Sequence, residues 1–244
     1  MTDGHTEESL CRDLLDLGVT PGDTLFIHSS YKSLGPVQGG AGAVVSALER
    51  AVGTEGLVLM PSFNLAGKGQ ERADAWDIER CPSTVGWLTE FFRNMPRTHR
   101  SDHYSHSVAG RGKGAEEFVS EHLSQDGMSS PWDRKPWGKT YGVRSPMAKA
   151  CLAGGKILML GVDYSSSTYV HYVEVMYWDE RKRRDPNAPF ARIDRLKAGA
   201  HWDSLGRLQR GKVGDADCRL FGIREYVSTL LAEVRRAPES LLMS

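Results

Sequence analysis

Apolar residues recur at helical spacing through Leu10, Leu14, Leu15 and Leu17 and stop at Gly18, so a helix from Thr6 to Leu17 is expected, followed by a Pro21-Gly22-Asp23 turn. Thr24-Leu25-Phe26-Ile27 then reads as a short buried strand running into His28-Ser29-Ser30. Gly39-Gly40-Ala41 opens a second helix, with Val44, Val45, Leu48 and Val52 on one face and Gly53 at its end. Leu57-Val58-Leu59-Met60 is a strand broken by Pro61. Strand, loop, helix and strand over residues 24–60 make a βαβ unit, which favours a parallel pair.

Residues 64–80 are polar and aperiodic and are expected to form a surface excursion that could cover a site. Ser83 or Thr84 caps an expected helix bearing Val85, Leu88, Phe91 and Phe92. A short helix is expected around Ala115 to His122, after a histidine-rich stretch at 101–109, and a Trp-, Pro- and Gly-rich loop fills 125–144. Pro146 suits the first turn of a helix reaching about Leu152. Lys156 to Gly161 reads as a buried strand, and a helix is expected from Ser167 to Trp178. The basic run Arg181-Lys182-Arg183-Arg184 leads into a region of low periodicity. A last amphipathic helix carries Tyr226, Val227, Leu230, Leu231 and Val234.

Composition narrows the class. The chain has 244 residues, 40% hydrophobic and 25% charged, which suits one domain, 1–244, with a sizeable core. Lys plus Arg and Asp plus Glu are each 31, so no global field draws the chain to nucleic acid or to a membrane surface, and any charged partner must be recognised locally. Cys11, Cys81, Cys151 and Cys218 form no C-x-x-C pair, which argues against a zinc cage or a disulfide framework and fits a reducing cytoplasm. The opening MTDGHTEESL is polar and acidic, and no apolar run reaches the ~18 residues that span a bilayer. A cytoplasmic location is therefore expected.

Thr168, His171 and Glu174 fall at spacings of three, on one face of the expected helix that follows a buried strand. An imidazole accepts a proton near neutral pH and a neighbouring carboxylate fixes its tautomer, so the triplet fits a general base. A solvated face, or a histidine satisfied by a carboxylate for stability, fits the same spacing. His28 to Gly35 passes from a strand end through small hydroxyl residues to a glycine-rich helix start, whose amides could hold a phosphate, although the spacing matches neither a Walker A loop nor G-x-G-x-x-G. His103 and His106 invite a metal reading, but no matching ligand set accompanies them. With Tyr104 they could instead line a pocket. Arg181 to Arg184 reads as a solvated helix end or as an anion contact, and Trp132, Trp137 and Trp178 as core anchors or stacking surfaces.

Together these pieces resemble the antibiotic N-acetyltransferase family, the aminoglycoside 3-N-acetyltransferases and their biosynthetic relatives. The match runs along the whole chain through Val19-Thr20-Pro21-Gly22-Asp23, His28-Ser29-Ser30, Ser33-Leu34-Gly35, Gly39-Gly40-Ala41 and Met60-Pro61-Ser62-Phe63. It continues through Arg100-Ser101, His103, His106-Ser107-Val108-Ala109, Ser145-Pro146, Leu160-Gly161-Val162-Asp163 and Thr168-x-x-His171-x-x-Glu174, to Arg219-Leu220-Phe221. The resemblance implies a single α/β domain, distinct from the GNAT acetyltransferase fold, with a mostly parallel central sheet flanked by helices. It implies acetyl-coenzyme A as co-substrate, no metal, and a small-molecule primary amine as acceptor. A homodimer is a further expectation.

Residue by residue, the resemblance makes His171 the catalytic histidine, Glu174 its carboxylate partner and Thr168 the hydroxyl near the thioester. It makes His28, Ser29, Ser30, Lys32, Ser33, Leu34, Gly35, Ser107 and Ser145 the coenzyme side of the site. Asn64, His103, Tyr104, His106, Asp163 and Tyr172 fall on the acceptor side. The chain departs from the family at His103-Tyr104, where His-Pro is usual, at Ser167, where resistance enzymes have Asn, and in the expanded segment 136–144. Arginines after Glu174 suit an anionic scaffold better than a polycationic aminoglycoside. The chain is thus expected nearer to the biosynthetic members, with aminoglycoside 3-N-acetylation conferring resistance as the alternative. Rivals of other classes are a serine hydrolase using Ser29 or Ser30 with His171, which lacks the G-x-S-x-G elbow, and a non-catalytic coenzyme A-binding protein.

Overall fold

The computed structural model describes residues 4–243. In chain order the elements are α1 (Glu7–Leu17), β1 (Thr24–Ser29), α2 (Gly40–Val52), β2 (Leu57–Pro61), α3 (Gly69–Asp74), α4 (Trp87–Arg93), β3 (His99–Arg100), β4 (Val108–Gly112), α5 (Ala115–Ser120), α6 (Pro146–Leu152) and β5 (Lys156–Leu160). They continue with α7 (Tyr169–Arg184), α8 (Arg195–Ser204), β6 (Gln209–Val213), β7 (Ala216–Gly222), α9 (Ile223–Arg236) and α10 (Pro238–Leu241). Single 3₁₀ turns follow β1 at Tyr31–Leu34 and β5 at Tyr164–Ser166.

The strands form one seven-stranded sheet in the order β3-β4-β2-β1-β5-β7-β6. Its centre is apolar on both faces because side chains alternate along each strand. Leu25, Ile27, Val58, Met60, Leu158 and Leu160 pack with α1, α2 and α4, while Phe26, Leu59, Ile157 and Met159 pack with α5 to α9. The α/β architecture is as expected. The expectation of a mostly parallel sheet is corrected: β1 pairs in parallel with β2 and β5, but the other four pairings are antiparallel. Two of the four are set by short links, residues 101–107 between β3 and β4 and the Gly214-Asp215 turn between β6 and β7. A parallel pair needs a crossover of a dozen residues or more.

Several boundaries shift for local reasons. The helix expected to carry Val85 begins at Trp87, because Gly86, at φ +147°, takes the N-cap position. The helix after β5 runs on to Arg184, so the basic run is its last turn. Residues 64–80 are no loose flap. Arg100 on β3 donates to the carbonyls of Ser62, Ile78 and Cys81, and Arg72 donates to those of Leu65, Ala66 and Gly67. Parallel strands β2, β1 and β5 all end on one side, at Pro61, Ser29 and Leu160. In open α/β sheets that edge is where ligands bind.

Candidate active site

The first turn of α7 stands at this edge. Thr168 occupies its N-cap position, and the His171 N–H donates to the Thr168 carbonyl at 3.0 Å. His171 Nδ1 lies 2.7 Å from Glu174 Oε2, and the other oxygen, Oε1, accepts from the Ile193 backbone N–H at 2.7 Å. Glu174 is only 2% exposed, whereas 21% of the His171 side chain is open. A carboxylate can only accept, so it takes the Nδ1 proton and leaves the Nε2 lone pair free.

His171 lines a cavity of about 380 Å³ shared with Thr168, His28, Ser29, His106 and Trp132. The Trp132 ring stands edge-on to His171 at 5.2 Å and is backed by Phe190 at 5.5 Å. His106 is perpendicular to His171 at 6.4 Å. Ser29 Oγ is buried and has no hydrogen-bond partner. Further along the wall are Arg72, Arg192, Arg195, Ser165 and Ser166, and among the described residues neither Asp nor Glu lines this cavity.

Four other histidines are held neutral by burial. Burial, and then the charge of Arg195, pushes His28 down to about 3, and its Nε2 accepts from the Thr168 N–H at 3.3 Å. Burial, with His106 beside it, lowers His103 to about 3, and both His106 and His122 are pushed well below the ordinary imidazole value. Each would protonate in the unfolded chain below its ordinary value of 6.5 but stays neutral in the fold, so its contribution is whole above that pH and drains as pH falls below it, towards about 3 for His28 and His103. The loss approaches about 1.4 kcal/mol per pH unit for each such group. Denaturant midpoints should therefore fall steadily from pH 7 to pH 5, and His122→Gln should shallow that slope; a flat profile contradicts the neutral cluster.

The structure gathers some of the expected site residues and disperses others. His28, Ser29, His106, Thr168 and His171 meet in the cavity, with Glu174 directly behind. The Ser33 hydroxyl donates to Ser30 Oγ at 2.8 Å and to the Gly161 carbonyl at 3.1 Å, bracing the loop against β5. Leu34 is buried in the core, and Gly35, at φ +74°, sits where any Cβ would strike Asp215. Lys32 is exposed. Ser107 Oγ donates to the Ser62 carbonyl, and Ser145 Oγ caps α6 by accepting from the Ala148 N–H. Asn64 folds its Oδ1 onto the Ala66 N–H and lines a smaller neighbouring cavity. The Tyr104 hydroxyl donates to the Trp132 carbonyl and so anchors the 125–144 loop. His103 Nδ1 accepts from the His106 N–H, Asp163 caps the 3₁₀ turn before α7, and Tyr172 stacks on Tyr141 at 5.8 Å.

The basic run does not reach the cavity. Arg183 pairs with Asp179, Lys182 lies 4.5 Å over Trp178, and Arg181 donates to the Pro189 carbonyl. Arg72, Arg192 and Arg195, which carry no motif, supply the cavity's cations instead.

Fold and site together define a class: an α/β transferase with a histidine–carboxylate pair opening on a cavity at the ends of parallel strands. Residues 26–233 match the family model described as aminoglycoside 3-N-acetyltransferase, and the chain belongs to this family of N-acetyltransferases. The chain is 30% identical to the SPbeta prophage-derived aminoglycoside N(3')-acetyltransferase-like protein YokD of Bacillus subtilis (strain 168), over 91% of this chain and 90% of that one. It is 32% identical to aminoglycoside N(3)-acetyltransferase III of Serratia marcescens, over 74% of this chain and 68% of the relative. Among solved structures, the aminoglycoside acetyltransferase AAC(3)-IVa apoenzyme superposes with a TM-score of 0.79 at 26% identity, covering 100% of this chain and 94% of its own. No helix among the described residues is long and apolar enough to cross a membrane.

Proposed function

We propose that this protein transfers the acetyl group of acetyl-coenzyme A to a primary amine of a small molecule, by direct attack with His171 as general base. The observation that carries this reading is the chain of hydrogen bonds from the Ile193 N–H through Glu174 to His171, which leaves one imidazole nitrogen facing the cavity. Bound there, acetyl-coenzyme A supplies an acetyl thioester whose thiol departs. His171 Nε2 takes a proton from the amine as its nitrogen bonds to the acetyl carbon, Glu174 stabilises the resulting imidazolium, and His171 returns the proton to the departing sulfur. The unpartnered Ser29 hydroxyl and Thr168 line the same wall and suit the carbonyl oxygen as negative charge builds on it. One well-placed donor is worth about 3 kcal/mol of transition-state stabilisation. His28 holds the Thr168 backbone in place as a neutral acceptor.

The test is thiol release from acetyl-coenzyme A with a broad panel of primary amines, read alongside mass spectrometry of the products. One thiol and one acetylated amine should appear together. Thiol release that ignores the amine, with an acetylated serine trapped on the protein, would replace this reading with hydrolysis; no release with any amine would leave only a coenzyme-binding role.

A further inference from the structure

Resting on the acetyltransferase reading, we propose that the acceptor amine carries an oxyanion group, a phosphate, phosphonate or carboxylate, held by Arg192 and Arg195 with Arg72 across the cavity. Among the described residues, three arginines and no carboxylate line the space in front of His171. Glu174 cannot offset them for a ligand, because its two oxygens are taken by His171 and the Ile193 N–H.

These three arginines differ from others in the chain. Arg93, Arg111, Arg235 and Arg236 find Glu90, Glu49, Glu180 and Glu233. Among the described residues no carboxylate pairs with Arg72, Arg192 or Arg195. Arg72 uses Nε and Nη2 on the carbonyls of the 65–67 loop and keeps Nη1. Arg195 uses Nη1 on the Ser165 carbonyl and keeps Nε and Nη2. The chain as a whole is electrically balanced, so the cations of the cavity are a local grouping and not part of a global positive field. Guanidinium donors match planar or tetrahedral oxyanions in a fork.

Position assigns the anion to the acceptor. Arg192 directly precedes Ile193, whose amide holds Glu174, and Arg195 holds the turn that leads into Thr168. Both arginines therefore stand beside segments that position the His171–Glu174 pair, and both line its cavity. The coenzyme brings phosphates too, but its whole pantetheine arm separates them from the thioester, whereas these arginines share one cavity with His171. A polycation would meet Arg72, Arg192 and Arg195 in the same cavity, and that repulsion selects against it.

The test uses matched probes with saturating acetyl-coenzyme A: O-phosphoethanolamine against ethanolamine, 4-aminobutyrate against its amide, and kanamycin as a polycation. The anionic member of each pair should have at least tenfold higher kcat/KM, with kanamycin lowest. Arg192→Ala/Arg195→Ala should raise KM for the anionic amines at least tenfold and leave KM for acetyl-coenzyme A within twofold. Equal use of charged and neutral amines, or preference for kanamycin, overturns the proposal. So does a rise confined to the coenzyme KM, which would put the arginines on coenzyme phosphates. Calorimetric titration of the same amines into the coenzyme A-saturated protein separates the two failures. Selective anion binding without transfer would sink only the acetyltransferase reading, whereas loss of selectivity in binding sinks this one.

Discussion

Replacing His171 by alanine is expected to lower kcat about a thousandfold, the scale of a lost general base, while acetyl-coenzyme A binds as before. The replacement removes the imidazole but leaves Glu174 anchored to the Ile193 amide, Ser29 in place and the cavity wall intact. His106, whose ring lies 6.4 Å from that of His171, is one cavity histidine that could take over. It is a poor substitute, since burial and the nearby histidines hold it far below the ordinary imidazole value, so its ring resists a proton at neutral pH. Thiol-release kinetics with a saturating amine, together with calorimetric titration of acetyl-coenzyme A, separate the two effects. A variant that keeps more than a tenth of the wild-type kcat would move the base elsewhere.

Glu174→Gln should cost about a hundredfold in kcat, although it preserves shape. The carboxylate receives two donors on separate oxygens, His171 Nδ1 on Oε2 and the Ile193 N–H on Oε1. An amide offers one acceptor oxygen and one NH₂ group. If the oxygen stays with Ile193, the NH₂ faces His171 Nδ1, which must then accept, and the ring proton moves to Nε2, where a base needs a lone pair. If the oxygen turns to His171, two donors collide at Ile193. The first arrangement keeps every group paired but in the wrong tautomer, so the loss should fall on kcat, with unfolding free energy lowered by no more than about 1 kcal/mol. Glu174→Asp keeps the charge on a shorter arm and should recover part of the rate. A Gln variant with wild-type kcat would remove the carboxylate from catalysis.

The parts of this molecule that can be read from sequence are those where burial dictates composition. Val58, Leu59, Leu158 and Leu160 announce β2 and β5, and the amphipathic stripe from Tyr226 to Val234 announces α9. β6 is silent because it is an edge strand, and four of its five residues, Gln209 to Lys212, face solvent. α8 is silent for another reason. It buries Ala198, Gly199 and Trp202, two of them small, since Gly199 lies against the Tyr164 ring, so no apolar stripe is written into it. The His171–Glu174 pair is legible because one turn of helix brings the two side chains together. Their surroundings are not, since Arg72 and Arg192 reach the same cavity from segments far apart in the chain. Arg181 to Arg184 draw the eye as a run, yet at the carboxyl end of α7 they complement the helix dipole and lie outside the cavity of His171.

The donor that steadies Glu174 is a main-chain amide, and this shapes how the site can change over generations of substitution. Nearly any side chain can stand at position 193 without removing that hydrogen bond, because every residue but proline brings the same N–H. Substitutions of similar bulk at this buried position, or at the exposed arginine one place before it, therefore leave the support of the His171–Glu174 pair intact.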